Sequence, residues 1–107
     1  MNQVIFVVYE EEISFLDLEG FLKDCTIDNL IKRWCFTYHN DTDKPHYHFF
    51  LESSEEIIRV IAKVLHAKAL SFVQNKKECI KYTVFDSKGE LHSTLKSNFD
   101  VKAELKL

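Results

Sequence analysis

RWCFTYHNDTDKPHYHFFL, residues 33–51, decides the fold. Over residues 33–39, Trp34, Phe36 and Tyr38 alternate with Cys35, Thr37 and His39, the two-residue period of a half-buried strand. Residues 40–45 are polar and form a connection. Over residues 46–51 the alternation resumes, with Tyr47, Phe49 and Leu51 on one face and His46 and His48 on the other. So short a link makes the two strands an antiparallel hairpin with one strongly apolar face.

That face needs a cover, and the flanking sequence supplies helices. Residues 4–9 form an apolar run rich in β-branched side chains, read as a buried strand. Ser14 offers an N-cap with Asp17 three residues on, and Leu18, Phe21, Leu22 and Cys25 follow at helical spacing, so residues 14–25 are expected to be an amphipathic helix. Downstream, Ser53 and Glu56 read as a capping box. Ile57, Val60, Ile61, Val64 and Leu65 then line one helical face. A short strand is expected at 70–73. Asn75 and Glu78 open another helix carrying Cys79, Ile80 and Tyr82 to about Phe85, and residues 86–89 make a turn. The tail from residue 90 is weakly patterned, with a strand expected near 91–95. The order βαββαβ, then a helix and tail, predicts an α+β fold. It has a central antiparallel sheet of the split βαβ (ferredoxin-like) type, helices on one face and the other face free for a site.

The bulk composition agrees with one domain spanning residues 1–107. With 46% apolar residues, two glycines and one proline, the chain can pack a core and has little linker character. Cysteines 25, 35 and 79 are odd in number and lack CxxC spacing, which points to reduced, partly buried thiols and a cytoplasmic setting. The N-terminus has no signal-peptide pattern, and no apolar run approaches membrane-spanning length. The net charge of −3 is uneven: residues 1–28 carry −6 and residues 29–107 carry +3. The acidic part can face away from a polyanion, or can simply be a solvated helix.

His46 and His48 leave the same strand face, with Cα atoms roughly 6–7 Å apart at strand rise, so two imidazoles can converge on one ion. His39 ends the neighbouring strand and returns beside His46, while Asp41 and Asp43 in the connection offer an oxygen ligand. An isolated His-x-His is a common accident. A third histidine across a short hairpin, with two acids nearby, is a donor set suited to manganese, zinc, nickel or cobalt, with magnesium admissible. Tyr82 lies on the helix after the last central strand, near Lys76, Lys77 and Lys81. Its hydroxyl is a poor nucleophile at a pKa of about 10, yet a metal-polarised phosphate and neighbouring cations can make it competent. From spacing alone, a core tyrosine on an amphipathic helix is the favoured reading.

The segment RWCFTYHNDTDKPHYHFFL resembles the metal-binding region of rolling-circle plasmid replication initiators, of the His-hydrophobe-His (HUH) endonuclease superfamily. In that family a strand ending in histidine is followed by an acidic loop and Lys-Pro-His-Tyr-His, reproduced here by residues 44–48. FVQNKKECIKYTVF, residues 72–85, resembles the family's tyrosine helix, and SNFDV, residues 97–101, resembles the segment that follows. The resemblance implies a single-strand DNA endonuclease that initiates rolling-circle replication through a 5′-phosphotyrosine link. Tyr82 would be the nucleophile. His39, His46 and His48, with Asp41 or Asp43, would hold Mn2+ or Mg2+, and Lys76, Lys77 and Lys81 would bind phosphates. Expected partners are single-stranded or hairpin origin DNA, further copies of the chain and host replication proteins, with no membrane. The acid that the family's spacing calls for falls on Thr42, between the two aspartates. The acidic N-terminal third, and Phe85 where the family often has a histidine after the tyrosine, motivate an alternative, a non-catalytic descendant that regulates by binding DNA or protein. A domain that stacks RNA bases on the sheet is disfavoured, because the open-face positions hold histidines.

Overall fold

The computed structural model describes residues 1–40, 43–86 and 88–107. The chain runs β1 (Asn2–Tyr9), α1 (Phe15–Ile27), β2 (Arg33–His39), β3 (His46–Ser53), α2 (Glu55–Val64), β4 (Lys68–Phe72), α3 (Lys76–Val84), β5 (Lys96–Ser97) and α4 (Val101–Leu105). The fold is α+β, with one antiparallel sheet in the order β4-β1-β3-β2-β5. The split arrangement expected from the sequence is present: β3 lies between β1 and β2, and β1 lies between β3 and β4.

Both crossovers, through α1 and α2, place their helix on the same face, as their shared handedness requires. There Val4, Phe6 and Val8 of β1, Trp34 and Phe36 of β2, and Tyr47, Phe49 and Leu51 of β3 form the larger core with Leu18, Leu22, Ile58 and Ile61. Phe49 stacks on Phe6 at 5.0 Å and on Phe36 at 5.3 Å. The Tyr47 hydroxyl donates to the Ile13 carbonyl, and burial, followed by Glu10 and Tyr38, pushes its pKa up to about 12, so it stays a donor.

The second face is not left bare. α3 and α4 pack on it, and Cys79, Ile80, Val84, Val101 and Leu105 close a smaller core over Cys35 and Phe50. This core covers the strand ends near residues 35 and 50, while the histidine end stays outside it. All three cysteines are buried and unbridged. Far from the histidines, Arg33 Nη1 lies 3.2 Å from Glu104, which also takes Lys76 Nζ at 2.9 Å and so ties α3 to α4 and β2. No described helix is long and apolar enough to cross a membrane.

Several local expectations shift. Ser14 and Asn75 cap their helices as anticipated, accepting from the backbone N–H of Asp17 and Glu78. The α2 cap is Ser54, which accepts from Ile57 N–H, not Ser53. Ser53 belongs to β3, where it is buried and donates to the Leu30 carbonyl. The buried stripe of α2 is therefore Ile58, Ile61 and Leu65, while Val60 and Val64 are 54% and 59% exposed. The tail forms a bridge between Phe85 and Leu91 and a two-residue β5 at Lys96–Ser97 in place of a strand over 91–95. At the opposite edge, the β1–β4 pairing shifts register between Ile5 and Val7, and Ala69 adopts a φ of 54°.

Truncation separates the two candidate faces of α2. Ile58→Ala should destabilise the protein by about 2–5 kcal/mol, and Val60→Ala by less than about 0.5 kcal/mol, as read from urea unfolding. Equal losses would contradict this helix orientation.

Candidate metal centre

The β2–β3 hairpin sets the register of the site. His39 pairs directly with His46, and Thr37 with His48. On the other side of β3, Tyr9 pairs with His46 and Val7 with His48. All three histidines leave the sheet on the face opposite the larger core, because Tyr47 and Phe49 are committed to that core. One donor nitrogen from each of His39, His46 and His48 lies within 4.8 Å of the other two.

Each ring has a distinct anchor. His46 Nδ1 lies 3.0 Å from the Lys44 carbonyl, which can only accept, so Nδ1 carries the proton and Nε2 the lone pair. That Nε2 is 3.2 Å from His48 Nε2, the separation of adjacent donors that each sit about 2.1 Å from a shared ion. His39 Nε2 lies 2.9 Å from the Thr37 hydroxyl. The hydroxyl has one proton and gives it to the Thr83 carbonyl at 2.9 Å, so it accepts from His39 Nε2–H, and in the neutral ring the lone pair falls on Nδ1. Thr37 is fully buried, and its hydroxyl holds the His39 ring in one orientation.

Burial first, then the neighbouring His39, His46 and His92, lowers the pKa of His48 to about 4. The ring is neutral at pH 7, the form that ligates a metal. The donor chemistry therefore fits a borderline divalent cation.

Tyr82 reaches this cluster. Its ring stands edge-on to His48 with centres 5.9 Å apart, and it is 63% exposed, which excludes the core-tyrosine reading. α3 presents it here because Cys79, Ile80, Thr83 and Val84 form the buried stripe of that helix. The two loop acids fare differently. Asp43 is exposed beyond the last hairpin pair and is not one of the clustered donors. Asp41 lies outside the described residues. Among the described residues no carboxylate joins the cluster. Of the three lysines, Lys76 is engaged by Glu104. Lys77 and Lys81 are exposed four residues apart on one helical stripe, with Lys81 3.8 Å from Glu78.

One residue escapes the sequence reading. His92, from the weakly patterned tail, packs its ring 4.6 Å from that of His39. Its backbone N–H donates to the Val84 carbonyl at 2.8 Å, which brings the tail back over the end of α3. Nothing in its spacing from the other histidines marks it, since a turn and a single bridge place it. Comparison with protein-family models and with curated proteins gives no match.

Two outcomes follow from this geometry. Thr37→Val should weaken Mn2+ or Co2+ binding by about 10–100-fold in a chelator-competition titration, with Thr37→Ser close to the parent. For the metal-free protein, the folded His48 pKa of about 4 lies below its ordinary 6.5, so the unfolded chain binds more protons between those values. Stability in chelator should be level above pH 7 and fall as the pH drops from 6.5 to 4. A flat urea midpoint across that window would contradict the burial of a neutral His48.

Proposed function

We propose that the chain is a metal-dependent, tyrosine-type DNA endonuclease and strand transferase that nicks single-stranded or hairpin origin DNA to start rolling-circle replication. The observation that carries this reading is the meeting of an exposed tyrosine with three convergent imidazoles: Tyr82 stands 5.9 Å, ring centre to ring centre, from His48. A catalytic phenol needs both exposure and a nearby anchor for the phosphate, and a purely structural tyrosine needs neither.

His39, His46 and His48 would hold the ion, and of the two expected ions three imidazoles favour Mn2+ over the harder, oxygen-seeking Mg2+. When bound, such an ion supplies Lewis-acid polarisation of the scissile phosphate. Tyr82 Oη attacks phosphorus, and the bond from phosphorus to the 3′ oxygen breaks. The phenolic proton is lost to solvent and the departing 3′ oxygen takes one up, so the products are a 5′-phosphotyrosine ester and a free 3′-hydroxyl. The ester conserves the energy of the broken bond for rejoining. Lys77 and Lys81, exposed on the helix that carries the tyrosine, would meet the DNA backbone and give salt-sensitive affinity. Lys76 contributes less, because Glu104 already neutralises it.

The experiment incubates the protein with a labelled single-stranded oligonucleotide library and Mn2+, then resolves the products on a denaturing gel. A covalent adduct is expected with the parent protein. It should be absent with Tyr82→Phe, while oligonucleotide binding changes by less than about threefold. Equal adduct from both proteins would remove Tyr82 from the reaction. Binding without any adduct would support a non-catalytic DNA-binding regulator.

A further inference from the structure

His92 is the closest ring to His39 after His48, with centres at 4.6 Å against 4.5 Å, and closer than His46 at 5.4 Å. Proximity alone would make it a fourth ligand, but its hydrogen bonds say otherwise. Thr94 backbone N–H points at His92 Nδ1 at 3.3 Å, and the Thr94 hydroxyl lies 2.8 Å from the same nitrogen. A backbone N–H cannot accept, so Nδ1 must carry the lone pair. The proton of the neutral ring is then on Nε2. This is the reverse of His46, whose Nδ1 donates to a carbonyl and whose Nε2 faces its neighbour as a donor of electrons. Thr94 is itself fixed: its hydroxyl oxygen accepts from Tyr38 N–H at 2.8 Å, and its single proton is shared between the Tyr38 carbonyl at 3.2 Å and the nearer His92 Nδ1 at 2.8 Å. The backbone of His92 is pinned to Val84 at the end of α3. The ring is thus oriented by two elements that also position His39 and Tyr82.

We propose that His92 is a substrate-binding residue of this centre, offering Nε2–H to an anionic oxygen of the bound phosphodiester, and is not a metal ligand. The identity of that oxygen rests on the phosphodiester reading above; the donor role does not. An N–H donor beside an anion makes a charge-assisted hydrogen bond without competing for the cation. Held in place before the substrate arrives, it would favour the added negative charge of the pentacoordinate phosphorus. No proton leaves the ring in this role.

Three measurements test the proposal. Long-range proton–nitrogen NMR of the isotopically labelled, chelator-treated protein should report His92 protonated at Nε2; protonation at Nδ1 would overturn it. In Co2+ titrations, His92→Ala should bind within twofold of the parent, whereas His46→Ala should lose at least about tenfold; a comparable loss at residue 92 would make it a ligand. The adduct-forming rate at saturating oligonucleotide should fall by about 10²–10³-fold in His92→Ala, as when one oxyanion donor is removed. His92→Gln, which keeps a side-chain N–H, should recover part of that loss, and no difference between Gln and Ala would exclude the donor role. If the parent forms no adduct, the nuclease reading fails independently. The proposal is then read from a ten-residue oligothymidylate added to the NMR sample. The His92 ring signals should shift, and unmoved signals would end it.

Discussion

The last turn of a helix exposes carbonyls that have no partner within the helix, and when that turn is buried other groups must take them. At the end of α3 two elements do so. The Thr83 carbonyl accepts from the Thr37 hydroxyl of β2, and the Val84 carbonyl accepts from the His92 backbone N–H. Everything distinctive about the site depends on this pair of bonds. The first fixes the helix that bears Tyr82 against the strand that bears His39, and the same hydroxyl accepts from the His39 ring. The second folds the tail back so that a fourth imidazole lies beside the first three. A helix that ended in solvent would leave the tyrosine, the hairpin and the tail as independent parts.

The opposite end of the sheet is organised by charge. Glu52 is buried, accepts from Gln3 at 2.8 Å and lies 3.8 Å from Arg33, which reaches on to Glu104. Hydrogen bonds from Lys76, then its charge and that of Arg33, hold the Glu104 carboxyl below its usual range. The start of α3 is therefore secured by ion pairs and its end by hydrogen bonds to the histidine strand. Between them, Cys79 and Ile80 pack on Cys35 and Phe50. Burial raises the pKa of Cys35 well above the ordinary thiol value, and that of Cys79 to about 11, so both act as small apolar side chains.

Much of this was legible in the chain. A two-residue period fixes which side chains share a face, so placing Tyr47, Phe49 and Leu51 inward placed His46 and His48 together outward. The short connection made His39 their neighbour for the same reason. Helix details were harder. Two adjacent serines precede α2, and local pattern cannot say which one ends β3; the Ser53 side chain is claimed by Leu30 across the fold. A similar ambiguity hid the stripe of α2, where five branched residues occupy two overlapping faces and only contact with the sheet selects Ile58 and Ile61. His92 was illegible because no periodic element carries it. Its position comes from one bridge, one backbone hydrogen bond and Thr94. The loop acids mark the reverse case, a plausible donor by proximity in sequence that the exposed turn does not deliver at Asp43.

The margins of the sheet bear on how copies of this protein can meet. An open strand with free amide and carbonyl groups invites another chain to add to it. Here one margin is only two residues long, and the other is interrupted by the left-handed Ala69 and a slipped register, with Lys68 at its start. Neither offers the long, flat template that edge-to-edge growth requires. Any assembly this protein forms must therefore be built from side chains on its helices and loops, and continuous sheets shared between molecules are disfavoured from the outset.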